Sequence, residues 1–154
     1  MIIRKYQPGE EFILHEVFVS SVHENAQGYY NKQQLDAWAP TNFDEEIWIE
    51  RLKGISPFVI LVNNEIMGYA DLQDNGYIDH FFIRGGEAQK GYGTNLMEKI
   101  LAEAKRSNIK KITSNASLAA QKFFLKHGFE IVKKQIVIIK GIELENTLVK
   151  KLCC

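Results

Sequence analysis

The first apolar run, Ile2–Tyr6, alternates too briefly for a helix and predicts an opening strand. Pro8-Gly9-Glu10-Glu11 follows, a helix start with proline early and acids where the positive end of the helix dipole favours them. Phe12, Ile13, Val17 and Ser20/Ser21 recur at helical spacing and carry that helix to about Asn25, with Gly28 as its breaker. A short helix is predicted over Lys32–Trp38, ending before Pro40, and a third opens at Asp44, with Ile47, Trp48, Arg51 and Leu52 on the 3.6-residue period until Gly54. From Pro57 the pattern changes. Phe58–Val62 is a buried-strand run, Asn63-Asn64 a tight-turn pair, and Ile66–Leu72 the returning strand. Asp74-Asn75-Gly76 marks another turn, and Tyr77–Ile83 a third successive strand, apolar on both faces and therefore central. Beyond Arg84-Gly85-Gly86, Thr94–Arg106 is an amphipathic helix with Leu96, Ile100, Leu101 and Ala104 on one face. Lys111–Ser114 reads as a short strand and Leu118–His127 as a helix with Gly128 as its left-handed cap. Two strands close the chain, Phe129–Ile139 and Glu143–Leu152. The predicted order is β-α-α-α-β-β-β-α-β-α-β-β, an α/β (α+β) chain.

Composition narrows the function classes. With 154 residues, 45% apolar and 25% charged, the chain fits one globular domain over residues 1–154, without repeats or low-complexity segments. Lys+Arg and Asp+Glu balance at 19 each, so no overall field steers it to nucleic acid or an anionic membrane. The longest apolar stretches are too short to span a bilayer, and the N-terminus lacks a secretory layout, so a cytoplasmic address is expected. Cys153 and Cys154, adjacent at the C-terminus, match no metal-ligand spacing and read as a frayed tail; no metal is expected.

Candidate chemistry concentrates in Gln89-Lys90-Gly91-Tyr92-Gly93-Thr94, between a strand and the helix after it. Two glycines let the backbone approach a ligand, so successive N–H groups can converge on a phosphate. Lys90 adds a cation, Gln89 a donor and Thr94 a hydroxyl. By spacing alone, an ordinary strand-to-helix turn fits equally well. A third glycine is missing for the dinucleotide fingerprint, and Tyr92 stands where a P-loop needs lysine, so neither NAD nor ATP is supported.

The order of elements carries more. The strand Tyr77–Ile83, the loop Gln89–Gly93 with its helix, the strand ending Thr113–Ser117 and the segment Lys122–Phe129 together resemble nearly the full core of the GNAT (GCN5-related N-acetyltransferase) superfamily. Ser21-Val22-His23, Tyr29-Tyr30 and Gln34–Pro40 resemble a bacterial acetyltransferase subgroup within it. The resemblance implies a GNAT fold, with a mixed central sheet of six to seven strands flanked by helices. It also implies transfer of acetyl from acetyl-CoA to a primary amine by direct attack in a ternary complex. Backbone groups of Phe81, Phe82 and Ile83 would pair with the pantetheine arm, Gln89–Thr94 would wrap the pyrophosphate, and Asn115 and Phe124 would lie along the cofactor. His23, Tyr29 and Trp38 would line the acceptor site, for a small-molecule or peptide amine, in a monomer or homodimer.

Two positions depart from the family pattern. Ala88 stands where Arg or Gln is usual three residues before the first loop glycine, and Phe124 stands where many members carry a tyrosine general acid. Amide formation needs an unprotonated amine, help for the carbonyl oxygen and a tolerable leaving group. Asp79 is the candidate base and Tyr77, two residues earlier on the same strand face, its companion, with Tyr29, Tyr30, Tyr77 or water as substitutes for the missing acid. A backbone N–H near Phe82 is the candidate oxyanion donor. The competing readings are a strand-end carboxylate for Asp79, a structural hydrogen-bonder for His23, and a non-catalytic acetyl-CoA-binding regulatory module for the chain. Acylation of a charged tRNA is disfavoured by the charge balance.

Overall fold

The computed structural model of the chain describes residues 1–153. Strands β1 (Ile2–Lys5), β2 (Phe58–Val62), β3 (Glu65–Ala70) and β5 (Phe81–Ile83) form an antiparallel sheet in the order β1-β2-β3-β5. A second sheet has the order β4-β6-β8-β7, from β4 (Tyr77–Ile78), β6 (Lys111–Ser117), β7 (Glu130–Ile139) and β8 (Ile142–Leu152). Within it β4 and β6 run parallel, Tyr77 opposite Thr113 and Ile78 opposite Ser114.

The strand expected over Tyr77–Ile83 is thus divided, and the single mixed sheet of six to seven strands becomes two sheets of four. The cause is Asp71. Its Oδ1 accepts the N–H groups of both Asp79 (2.9 Å) and His80 (2.6 Å), while the Asp71 N–H returns to the His80 carbonyl (3.1 Å). Two amides that would extend a ladder are held by one side chain, and the halves on either side join different sheets.

Helix α1 (Glu11–Ser20) continues into a π-helical turn at Ser21–Asn25, with no break. The wider turn presents Asn25, whose Nδ2 donates to the Ile83 carbonyl (3.0 Å). Phe12 and Ile13, expected on the apolar face of α1, are exposed; Val17 is buried as expected, with Leu14 and Phe18 beside it. Helix α2 (Lys32–Trp38) matches its expected span, and reciprocal bonds between Asn31 and Gln34 cap it. Asp44 caps α3 (Glu45–Ile55), which ends at left-handed Ser56.

Helix α4 (Tyr92–Arg106) starts two residues before its expected onset, because Gly91 at φ +90° supplies the left-handed residue in front of it. Helix α5 (Gln121–Lys126) is shorter than expected, since the Leu118 N–H goes to the Tyr30 hydroxyl and the Ala120 N–H to Ser117. Gly128 follows it at φ +89°, as anticipated. Cys153 is not frayed at its backbone, where its N–H donates to the Lys110 carbonyl (2.8 Å). Cys154 lies outside the described residues.

Both faces of the first sheet are covered. Leu14, Val17, Leu52, Val59 and Tyr69 pack on the side of α1 and α3, while Ile60, Met67, Leu96, Ile100 and Ile112 pack on the side of α4. That double burial explains the unbroken apolar run Phe58–Ile60.

Candidate functional site

Past the break at Asp79–His80, β5 and β6 separate. Tyr69 lies opposite Phe82, and the ladder continues as Asp71 N–H to His80 C=O and Arg84 N–H to Met67 C=O (2.7 Å). Antiparallel alternation therefore turns His80, Phe82 and Arg84 toward β3 and leaves the N–H groups of Phe81 and Ile83 on the opposite edge. The N–H of Phe82 itself belongs to the ladder, so the N–H groups near Phe82 that remain candidates for an oxyanion donor are those of Phe81 and Ile83.

That open edge borders a groove of about 1000 Å³. Gln89, Gly91, Gly93 and Thr94 line one end, where α4 begins without a side-chain cap. Its first intrahelical bond runs from Asn95 N–H to Gly91 C=O, so the N–H groups of Gly91 through Thr94 find no protein acceptor among the described residues. Gln89 takes the left-handed conformation at φ +64° to turn the chain into this cradle. A side chain at Gly93 would press on the Phe123 ring, 3.1 Å from the added carbon. Lys122 and Lys126 supply cations to the same groove.

On the other side of Phe81 and Phe82 lies a smaller cavity of about 240 Å³, bordered by Tyr77, Asp79, Asn115 and Asn146. Trp38, Phe81, Phe82, Ser117 and Ala120 line both spaces and mark where they meet. Asp79 accepts a hydrogen bond from Arg51 of α3 (2.9 Å). Tyr77 Oη accepts from Asn115 Nδ2 (3.2 Å), whose Oδ1 accepts from Gln135 (2.7 Å). Desolvation, with the nearby Asp79 charge, pushes the Tyr77 phenol above its usual value, so it keeps its proton at neutral pH.

Behind this wall sits a buried network. Burial pushes the Asp71 carboxyl up to about 6, against the bonds it receives from His80, Gln73 and Asp79. Burial likewise pushes His80 down to about 4, and its Nδ1 pairs with the Tyr69 hydroxyl at 2.9 Å. A neutral imidazole with Nδ1 as acceptor directs its Nε2–H toward Asp79, 3.7 Å away.

Of the expected residues, Asp79 and Tyr77 meet in the smaller cavity, and Phe81, Phe82, Ile83, Gln89, Gly91, Gly93 and Thr94 line the larger groove. The others fall elsewhere. Lys90 pairs with Glu87 (2.6 Å), Tyr92 opens α4 and packs on the core, and Asn115 and Phe124 border the smaller cavity rather than the groove. Phe124 is also core, 2% exposed among Phe81, Phe123 and Phe129. His23 borders neither space, because Nε2 is bonded to the Ala39 carbonyl (2.8 Å). Tyr29 lines the groove and Trp38 both spaces. Tyr30 is committed as well, donating to the Glu145 carbonyl (2.6 Å) and accepting from Leu118 N–H (2.9 Å). Sequence reasoning missed Asp71, Arg51 and Asn146; an acid closing the buried run Ile66–Ala70 was the one available signal, for Asp71.

The family model for an acetyltransferase (GNAT) domain matches residues 26–146. The uncharacterized N-acetyltransferase YafP of Escherichia coli (strain K12) is 31% identical over 144 residues, covering 94% of this chain and 91% of YafP. A GCN5-related N-acetyltransferase from Rhodopseudomonas palustris superposes with a TM-score of 0.93 at 26% identity, over 98% of this chain and 94% of that one. YncA of Salmonella typhimurium, solved with its cofactor acetyl-CoA, superposes at 0.73 and 16% identity over 100% and 94%. The matches make the chain an acetyl-CoA-dependent acetyltransferase. The chain belongs to the GNAT (GCN5-related N-acetyltransferase) superfamily.

Proposed function

We propose that the protein transfers an acetyl group from acetyl-CoA to a primary amine, with both substrates bound together. The observation that carries this reading is the meeting of two spaces at Phe81 and Phe82, one walled by free backbone N–H groups and one by Asp79 and Tyr77. The larger groove fits the co-substrate on three counts: its size, the unaccepted N–H groups of Gly91–Thr94, and Lys122 and Lys126 beside them. The Gln89–Thr94 backbone would hold the diphosphate, and the outward groups of Phe81 and Ile83 the amides of the arm. Acetyl-CoA, when bound, supplies an acetyl group activated as a thioester.

The remaining tasks belong to side chains and one amide. The Phe81 N–H faces the junction and can stabilise negative charge developing on a carbonyl oxygen there. Asp79 Oδ takes the proton of the incoming ammonium, directly or through water, while Arg51 holds the carboxylate in position. Tyr77 Oη holds the proton available for return, the role that Phe124 lacks the hydroxyl to fill.

The buried Phe124 also favours a second reading, a non-catalytic module that binds acetyl-CoA and reports its level. Titration calorimetry with acetyl-CoA and thiol release over a library of amines, amino acids and peptides separate the two. Binding with amine-dependent thiol release is expected; binding without release on any amine would favour the module, and no binding would reject both.

A further inference from the structure

One of the outward groups on β5 is already taken. Asn25 Nδ2 donates to the Ile83 carbonyl at 3.0 Å and stands 3.4 Å from Ser21 Oγ. A bond to a carbonyl fixes which way the carboxamide lies, since the flipped form would set two acceptors against each other. Oδ1 is thereby the free end. It accepts from no group among the described residues, yet unlike the enclosed Oδ1 of Asn146 it stays accessible to solvent, and Asn25 lines the groove.

The turn that carries Asn25 is fastened to the end of β5. Ser20 Oγ accepts the Gly85 N–H (2.9 Å), two residues beyond Ile83. A carbon added at Gly85 would collide with the Glu24 carboxylate and lie 2.6 Å from the Ser20 carbonyl oxygen, so glycine there lets the turn close on the strand. Ser21–Asn25 is also π-helical, a wider turn that recurs at functional sites and takes Asn25 off the line that α1 would give it.

Position along the groove decides what Oδ1 would meet. Phe81 begins β5 at the junction with the smaller cavity, whereas Ile83 ends it on the side of the Gln89–Thr94 loop. With the diphosphate at Gly91–Thr94 and the thioester at the junction, the arm of coenzyme A brings the nearer of its two amides past Asn25. An amide N–H that leaves water needs an acceptor there, and the Ile83 carbonyl is engaged. We infer that Asn25 Oδ1 accepts the N–H of the arm amide nearer the diphosphate, taking the place of the Ile83 carbonyl at that end of the edge; this rests on the transferase reading above.

The test is titration calorimetry on the full chain, comparing coenzyme A with the analogue in which an ester oxygen replaces that amide N–H. The native protein is expected to bind coenzyme A about tenfold more tightly, the scale of one hydrogen bond, and Asn25→Leu to cut that ratio below about half by weakening coenzyme A. A merely structural Asn25 would weaken both ligands alike and leave the ratio intact. Ser20→Ala loosens the turn without removing the carboxamide and should keep the native ratio. A native ratio below about fivefold, a ratio in Asn25→Leu above about half the native one, or an equal fall in Ser20→Ala would each overturn the inference. The native ratio needs no variant, so the inference stands or falls even where Asn25→Leu does not fold. No binding of coenzyme A to the native chain would reject the transferase reading with it, whereas coenzyme A bound without preference over the ester removes this inference alone.

Discussion

The two spaces that meet at Phe81 and Phe82 are built from different chemistry. The groove is lined at its mouth by main-chain N–H groups fixed by a helix start and a strand edge. The cavity depends on Tyr77, Asp79 and Asn146, side chains drawn from β4, the Asp79–His80 break and β8. A backbone site tolerates exchange of its side chains, which is why Ala88 in place of a usual Arg or Gln leaves the groove complete. A side-chain site does not: with phenylalanine at position 124, the proposed transfer draws the proton for its leaving group from elsewhere, and Tyr77 is the residue proposed for it.

The largest expected effect strikes the kink both spaces share. Asp71→Leu leaves the Asp79 and His80 N–H groups unpaired in the interior, at about 1–3 kcal/mol each, so thermal and denaturant unfolding should show a loss of about 2–5 kcal/mol. Asp71→Asn keeps an acceptor oxygen and should lose less than half as much. Equal losses would mean that charge, not the two accepted bonds, holds the kink.

Next comes a change confined to the cavity. Tyr77→Phe should lower kcat about 10²-fold, the lower range for general acid–base help, with KM for acetyl-CoA within about twofold. A rise in KM instead would make Tyr77 a wall of the co-substrate groove. Smaller still is a change confined to the groove. Gly91→Val forces a branched residue to φ +90°, a strain of about 1–2 kcal/mol, and tilts the first N–H groups. KM for acetyl-CoA should rise about tenfold with kcat nearly unchanged. Lys90→Ala should shift KM less than about twofold, because that ammonium is already paired with Glu87.

The same division explains what could be read in advance. Gly91 and Gly93 flagged a close backbone approach because that requirement sits in the chain itself, left a phosphate site and an ordinary turn equally open, and gained a family resemblance from the order of strands and helices around them. The helix Lys32–Trp38 was equally legible, since its cap and its apolar period lie in consecutive residues. Asp71 was not legible as the cause of the break, because its partners lie eight and nine residues away across a turn. Asn146 was less so, since it meets the cavity only through the pairing of β8 with β6. His23 stood open between an acceptor-site and a structural reading for a related reason, as its carbonyl partner at Ala39 lies 16 residues on.

The smallest effect tests whether the buried pair behind the cavity is balanced. Asp71 titrates near 6 in the folded chain against 3.8 unfolded, so the folded state binds more protons in between, and its contribution to stability is lost as pH rises from about 4 to about 6. His80 titrates near 4 against 6.5, so the unfolded state binds more protons, and its contribution is lost as pH falls over nearly the same window. The slopes oppose. The native protein should show little net pH dependence from this pair between about pH 4.5 and 6. His80→Gln should uncover the Asp71 slope, with stability falling toward pH 6 relative to native, and Asp71→Asn the reverse. Denaturant unfolding of all three proteins at the two pH values, compared as differences, reports on the pair. Parallel profiles for native and His80→Gln would show that the imidazole does not offset the carboxyl, and that the wall behind the cavity owes its arrangement to the Asp71 hydrogen bonds alone.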